Sequence, residues 1–222
     1  MISTCTPNNG VWADLGCGTG IFEREGGLDG RRMIGLDIAF EPLAVMRSAA
    51  GRPYPAVQAD IEALPFKPGM FEGIVIASVL QWLCDPIEVL RGISGILKPE
   101  GYLAFSAFID GSFFELFETL AGFAMQPPVH CPPPERLTEV FSNSGFVFHQ
   151  QSIVRQTLFF VDARAALKSL SGMGAAAREG RRLTRRELDR LCNDYERRFR
   201  SPNGVPLTYC AMIGLCRKDL HP

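Results

Sequence analysis

The heptapeptide Asp14-Leu15-Gly16-Cys17-Gly18-Thr19-Gly20 constrains this chain more than any other stretch. It follows an apolar run, Val11 to Leu15, that reads as a strand. Glycines at three alternate positions do not suit the interior of a helix or strand, so the spacing predicts a tight turn from that strand into a helix. Without Cβ atoms, such a turn lets a ligand approach the backbone, and the helix start presents N–H groups to it. The motif alone is a weak signal, because dinucleotide-binding enzymes use a similar turn.

Two details narrow the reading. The spacing is Gly-x-Gly-x-Gly rather than Gly-x-Gly-x-x-Gly, and the acidic Asp14 stands before it. A carboxylate there would repel a pyrophosphate, whereas the methionyl end of S-adenosylmethionine offers it an ammonium. Asp37 closes a second apolar run, Arg32 to Asp37, about 20 residues beyond the glycines, where a carboxylate can accept ribose hydroxyls. Ile38 follows it. After a third short strand, Pro55 to Gln58, Asp60 is placed to take an adenine amino group while Ile61 packs on the ring. S-adenosylmethionine is therefore the expected cofactor. The glycine spacing disfavours a nicotinamide cofactor.

The rest of the first two-thirds alternates apolar runs with amphipathic stretches, the pattern of βαβ units around a parallel sheet. Gly73 to Ser78 reads as strand 4 and Pro86 to Leu97 as a helix. Lys98 to Gly101 reads as a turn, and Tyr102 to Phe108 as strand 5. Helices are expected over Phe113–Phe123 and Glu135–Ser142, with a five-proline loop, Gln126 to Pro134, between them. Phe146–Gln150 and Gln156–Phe160 read as extended, 162–200 as a helical, Arg-rich excursion, and Leu207–Cys216 as a late strand.

Composition excludes several classes. The chain has 222 residues, 46% apolar and 21% charged, which suits one soluble α/β domain spanning 1–222. Segments 109–145 and 162–205 would be insertions on its substrate side. A net charge of -1 gives no global field toward nucleic acid or membrane. Seven scattered cysteines without a Cys-x-x-Cys pair read as reduced thiols of a cytoplasmic protein, and the three dispersed histidines give no metal-ligand spacing. No metal, nucleic-acid or membrane partner is expected.

The ordered set of glycine turn, Asp37 and Asp60 resembles the class I S-adenosylmethionine-dependent methyltransferases. The resemblance implies a Rossmann-like, seven-stranded, mostly parallel sheet with the last strand antiparallel, plus a helical substrate cover. It implies that Asp14, Gly16, Gly18 and Gly20 line the methionyl end of the cofactor, Asp37 with Ile38 the ribose, and Asp60 with Ile61 the adenine. Ser78 would lie near the methyl group. Further along, Leu80-Gln81-Trp82, Gly111-Ser112-Phe113-Phe114-Glu115-Leu116, Leu170 to Ala175, Leu183-Thr184-Arg185 and Pro206-Leu207-Thr208-Tyr209 follow in one order. Together they are similar to the malonyl-acyl-carrier-protein O-methyltransferases of biotin synthesis, which esterify the free carboxyl of a malonyl thioester.

That resemblance implies an acyl-carrier-protein-bound substrate and substrate-side roles for Gln81, Trp82, His130 and Tyr209. Where family members usually carry an arginine before the loop's proline pair, this chain has His130, which cannot form a bidentate fork to a carboxylate. Family members also carry a helical segment ahead of the first strand, where this chain has about ten residues. A malonyl carboxylate is ionised at neutral pH, so no general base is called for, and none is assigned. Arg178–Arg200 holds nine arginines against five acidic residues, a candidate docking surface for an acidic carrier or simply a solvated helix face. A methyltransferase for another small molecule, or a protein that binds the cofactor without turnover, also remains open.

Overall fold

In a computed structural model, residues 6, 10–25, 31–48, 55–123, 125, 129–171 and 183–219 are described. The strands are β1 (Val11–Leu15), β2 (Arg32–Asp37), β3 (Ala56–Gln58), β4 (Phe71–Ala77), β5 (Leu97–Phe108), β6 (Phe146–Phe160) and β7 (Val205–Lys218). The helices are α1 (Ile21–Arg24), α2 (Phe40–Ser48), α3 (Pro86–Ile96), α4 (Phe114–Ala121), α5 (Pro134–Ser142), α6 (Ala163–Ser171) and α7 (Arg185–Phe199). The chain divides into two compact units. The first comprises Met1–Ala107, Pro134–Ser152 and Met212–Pro222, and the second Phe108–Pro133 and Ile153–Ala211.

The seven strands form one sheet in the order β3-β2-β1-β4-β5-β7-β6. Pairing is parallel from β3 through to β5. β7 runs against its neighbours. In the first unit Arg217 meets Glu100, and a Cβ on Gly214 would strike the Phe105 ring. In the second, the Ile109 N–H donates to the Cys210 carbonyl. Numbers rise along β5 as they fall along β7, so the expected antiparallel last strand is present. The strand order doubles back between β1 and β4, which makes the carboxyl ends of those two strands the topological switch point.

Local chemistry explains the elements. β1 and β4 are apolar apart from one acidic residue each, Asp14 and Glu72, as suits strands covered on both faces. Trp12 packs with Met33, Val75, Ala104 and Leu215, and Gly73 leaves room for its indole. Pro86 opens α3, where its missing N–H costs nothing, and the Asp85 carboxylate accepts the Ile87 and Glu88 N–H groups. α7 opens on a capping box formed by Thr184 and Glu187.

Two expectations are corrected. Lys98 to Gly101 is not a turn before β5 but part of it, since Leu97 already pairs with Phe71. The turn residues survive as a kink, with Glu100 at φ 59° and a register shift between Phe71 and Gly73. The extended pieces at 146–150 and 156–160 are one continuous strand, β6, at the sheet edge, where exposed positions blur the period-two signal. The Arg-rich excursion resolves into α6 and α7, and residues 172–182 between them lie outside the described residues.

Glu196 joins these two helices. It accepts the Ala163 N–H at the start of α6 and pairs with Arg200, and both interactions, the first more strongly, hold its carboxyl below the usual range. A lowered folded-state pKa contributes stability above the unfolded value, lost as pH falls through the folded one. Glu196→Gln should therefore melt below wild type at about pH 7, and the gap in Tm should close as the pH falls through the lowered folded-state pKa of Glu196. Thermal unfolding across that range checks it.

Candidate functional site

The glycine turn is fastened to β2 by hydrogen bonds from its backbone N–H groups. The Gly16 and Cys17 N–H groups both donate to the Leu36 carbonyl, at 2.7 and 3.0 Å. The Gly18 N–H donates to Asp37 Oδ2 at 2.8 Å, and the Ala39 N–H to Oδ1 at 2.9 Å. Gly16, Gly18 and Gly20 all adopt positive φ, at 78°, 53° and 73°. They differ in what surrounds them. A Cβ on Gly16 would lie 2.3 Å from Val79 Cγ2, and one on Gly20 2.7 Å from Met46 Cγ, whereas one on Gly18 would meet nothing within 4 Å. Gly16 and Gly20 are thus packing requirements, while Gly18 leaves open space over the turn.

The remaining residues expected at the cofactor gather on the same unit. Asp14 is 2% exposed on β1, in register with Gly35 of β2 and Val75 of β4. Ile38 is an exposed apolar side chain beside Asp37, with its carbonyl taken by Gln58 Nε2. Asp60 caps a 3-10 turn, Ile61–Ala63, by accepting the Glu62 N–H on Oδ1. Its other oxygen has no partner among the described residues. Ile61 is half-buried beside it.

Ser78 ends β4 at φ 56°, a conformation that costs a non-glycine residue of order 1–3 kcal/mol. Its N–H donates to the Ser106 carbonyl, and its own carbonyl accepts Gln81 Nε2 at 2.7 Å. Gln81 and Trp82 form the next 3-10 turn, Leu80–Trp82; Gln81 is 5% exposed and Trp82 half-buried. With the amide nitrogen committed to Ser78, the buried Oε1 of Gln81 has no donor among the described residues. An orphan acceptor of this kind costs about 1–3 kcal/mol, and a ligand bearing N–H groups relieves it.

These features suit S-adenosylmethionine. Open space lies over Gly18, carboxylates stand at three strand ends, an apolar surface adjoins Asp37, and an unsatisfied acceptor lies beyond β4. No cluster of His, Cys, Asp and Glu suited to a metal occurs among the described residues.

His130 and Tyr209 belong to the second unit. His130 is exposed and makes no hydrogen bond among the described residues. Tyr209 is half-buried, with its ring edge-on to Phe113 at 5.3 Å and its hydroxyl 3.3 Å from Ser169 Oγ. Around it lies a network that the sequence reading missed. Ser112 Oγ donates to the Cys210 carbonyl and accepts the Cys210 N–H, and the Phe113 N–H donates to the Thr208 carbonyl. The buried Glu115 carboxylate accepts both the N–H and the hydroxyl of Thr208, at 2.9 and 2.6 Å. Two segments far apart in sequence, Gly111 to Leu116 and Pro206 to Cys210, are thus one structure. Gly111, at φ 87° before this helix, was the available sequence signal for a tight entry.

Comparison with known proteins bears on the chain as a whole. Residues 13–105 match a family model described as a methyltransferase domain. The chain is 30% identical over 213 residues to a malonyl-[acyl-carrier protein] O-methyltransferase of Enterobacter lignolyticus, spanning 93% of this chain and 81% of that protein. It is 34% identical over 186 residues to the protein of that name from Pseudescherichia vulneris, spanning 80% of this chain and 71% of that one. Among solved structures, a SAM-dependent methyltransferase from Methanosarcina mazei superposes with a TM-score of 0.65 at 15% identity, over 98% of this chain and 96% of that one.

The glycine geometry predicts opposite outcomes for two alanine variants. Gly16→Ala forces a methyl into Val79 and should lower the melting temperature by several degrees. Gly18→Ala bears only the positive-φ penalty of about 1–2 kcal/mol, but its methyl fills the ligand side of the turn. It should remain folded and lose at least tenfold in affinity for S-adenosylhomocysteine. Thermal unfolding and calorimetric titration of both variants measure this.

Proposed function

We propose that this chain, which belongs to the class I S-adenosylmethionine-dependent methyltransferases in the family of the malonyl-acyl-carrier-protein O-methyltransferases, methylates the free carboxylate of a malonyl thioester on acyl-carrier protein, in the cytoplasm, for biotin precursor synthesis. One observation carries the substrate reading. The methyltransferase-domain match ends at residue 105, yet the likeness to the malonyl enzymes runs over 93% of the chain, substrate half included.

In this reading Asp14 and the turn at Gly16, Gly18 and Gly20 hold the methionyl end of the cofactor. Asp37 with Ile38 takes the ribose, Asp60 with Ile61 the adenine, and Ser78 borders the methyl group. When bound, S-adenosylmethionine supplies a methyl group made electrophilic by its sulfonium. The acceptor carboxylate is ionised at neutral pH, so the chain's task is to position it and keep water away rather than to remove a proton. Gln81 and Trp82 flank the substrate side after β4. Tyr209 and His130 carry the substrate-side roles of the second unit, a phenol and an imidazole in place of a guanidinium fork.

Docking of the carrier falls to α7. Arg164 pairs with Asp189, Arg197 and Arg198 with Asp194, and Arg200 with Glu196. Arg185, Arg186 and Arg190 make no ion pair among the described residues and are the arginines of this helix left to meet an acidic partner. Such charges act mainly on encounter and are screened by salt.

Labelled methyl should pass to malonyl-carrier protein and not to acetyl-carrier protein. Transfer to other small acids with none to malonyl-carrier protein would favour a class I enzyme of different specificity. A double charge reversal, Arg185→Glu with Arg186→Glu, should raise KM for the carrier substrate about tenfold at low salt, shrinking toward wild type above about 0.5 M salt. An unchanged KM at low salt removes α7 from docking.

A further inference from the structure

The second unit holds a buried carboxylate for which methyl transfer has no direct use. Glu115 is 3% exposed, lies in the first turn of α4, and has both oxygens taken by one residue, Thr208. Thr208 is in turn contacted by the Thr157 hydroxyl at 3.0 Å, and its carbonyl accepts the Phe113 N–H at 2.6 Å. On the other side of Tyr209, Cys210 is held through its N–H and its carbonyl by Ser112, and its carbonyl also accepts the Ile109 N–H. The backbone on both sides of Tyr209 is therefore fixed by buried hydrogen bonds. Phe113 is kept at φ 56° to make this possible, a conformation unusual for a bulky residue.

So much fixation around one residue calls for a reason at its side chain. The phenol ring packs on Phe113 and near Phe108, and its hydroxyl rests 3.3 Å from Ser169 Oγ. Ser169 gives its own proton to the Ala166 carbonyl at 2.7 Å, so it can only accept from the phenol. That contact is long and neutral. A hydrogen bond from the same phenol to a carboxylate is charge-assisted and roughly twice as strong, so an incoming carboxylate outcompetes the serine.

We propose that Glu115 is a positioning residue. By clamping Thr208, it aims the Tyr209 hydroxyl, parked on Ser169, at the carboxylate of the acyl substrate. A single aimed phenol then does part of the work that an arginine in place of His130 would do. The proposal rests on the malonyl-thioester reading.

Steady-state kinetics with malonyl-carrier protein, S-adenosylhomocysteine titration and thermal unfolding separate the outcomes. Tyr209→Phe should raise KM about tenfold, with kcat within about threefold and with cofactor affinity and melting temperature unchanged. Glu115→Ala should raise KM by a similar factor, and adding Tyr209→Phe to it should cost little more. Glu115→Gln keeps an acceptor for the Thr208 N–H and a donor for its hydroxyl, so it should restore most of the lost KM. Should Glu115→Ala not fold, Thr208→Val removes only the hydroxyl and takes its place in the cycle. A wild-type KM in Tyr209→Phe overturns the proposal, as do fully additive effects of the two changes. Wild-type protein inactive on malonyl-carrier protein but binding S-adenosylhomocysteine would instead defeat the substrate reading.

Discussion

The cofactor end of this molecule depends on one joint, where the glycine turn after β1 is hydrogen-bonded to the end of β2. Two consecutive N–H groups share the Leu36 carbonyl, and a third reaches the Asp37 carboxylate. A glycine-rich loop would otherwise be the most mobile stretch of the chain, since glycine has the most backbone freedom to lose. Here hydrogen bonds to the neighbouring strand remove that freedom. Each oxygen of Asp37 accepts one backbone N–H, which fixes the orientation of the carboxylate. In the proposed function its remaining lone pairs take the ribose hydroxyls.

The same division between fixing and recognising recurs in the second unit, by other means. There the held strand carries no glycine turn. Ser112, Phe113 and Glu115 take up the main-chain groups of Thr208 and Cys210. A buried carboxylate is expensive unless it is hydrogen-bonded, and Glu115 meets that condition with an N–H and a hydroxyl from a single residue. Its place in the first turn of α4 adds the favourable field of a helix N-terminus.

Much of the fold was legible because the signals were local. β1, β2 and β4 are mostly apolar runs, and their expected bounds differ from the observed ones by two residues at most. The elements that differed were those where local chemistry and long-range pairing disagree. Pro99 and Gly101 are genuine turn residues, yet pairing with β4 carries β5 through them and leaves only a kink at Glu100. The long edge strand β6 was read as two pieces, because most of its side chains are exposed and no buried face imposes a period of two. At the site, the glycines and acidic strand ends could be read from spacing. The orphaned Gln81 oxygen and the Glu115–Thr208 clamp could not, because they depend on which atoms meet. The clamp spans 93 residues of sequence.

Charge shows the same limit most clearly. Counted along the sequence, Arg178–Arg200 is a net basic run, with nine arginines against five acidic residues. In the helix, acidic residues three or four positions away draw some arginines into pairs, and Arg164 of α6 draws Asp189 as well. Each exposed pair contributes little to stability, about 0–1 kcal/mol, but it decides which guanidinium groups have charge to spare. The arginines of the last turn are spoken for, while the first two turns, from Arg185 to Arg190, keep theirs. Any electrostatic steering by α7 therefore comes from its amino-terminal half, where the exposed cations oppose the positive end of the helix dipole and gain by meeting an external anion.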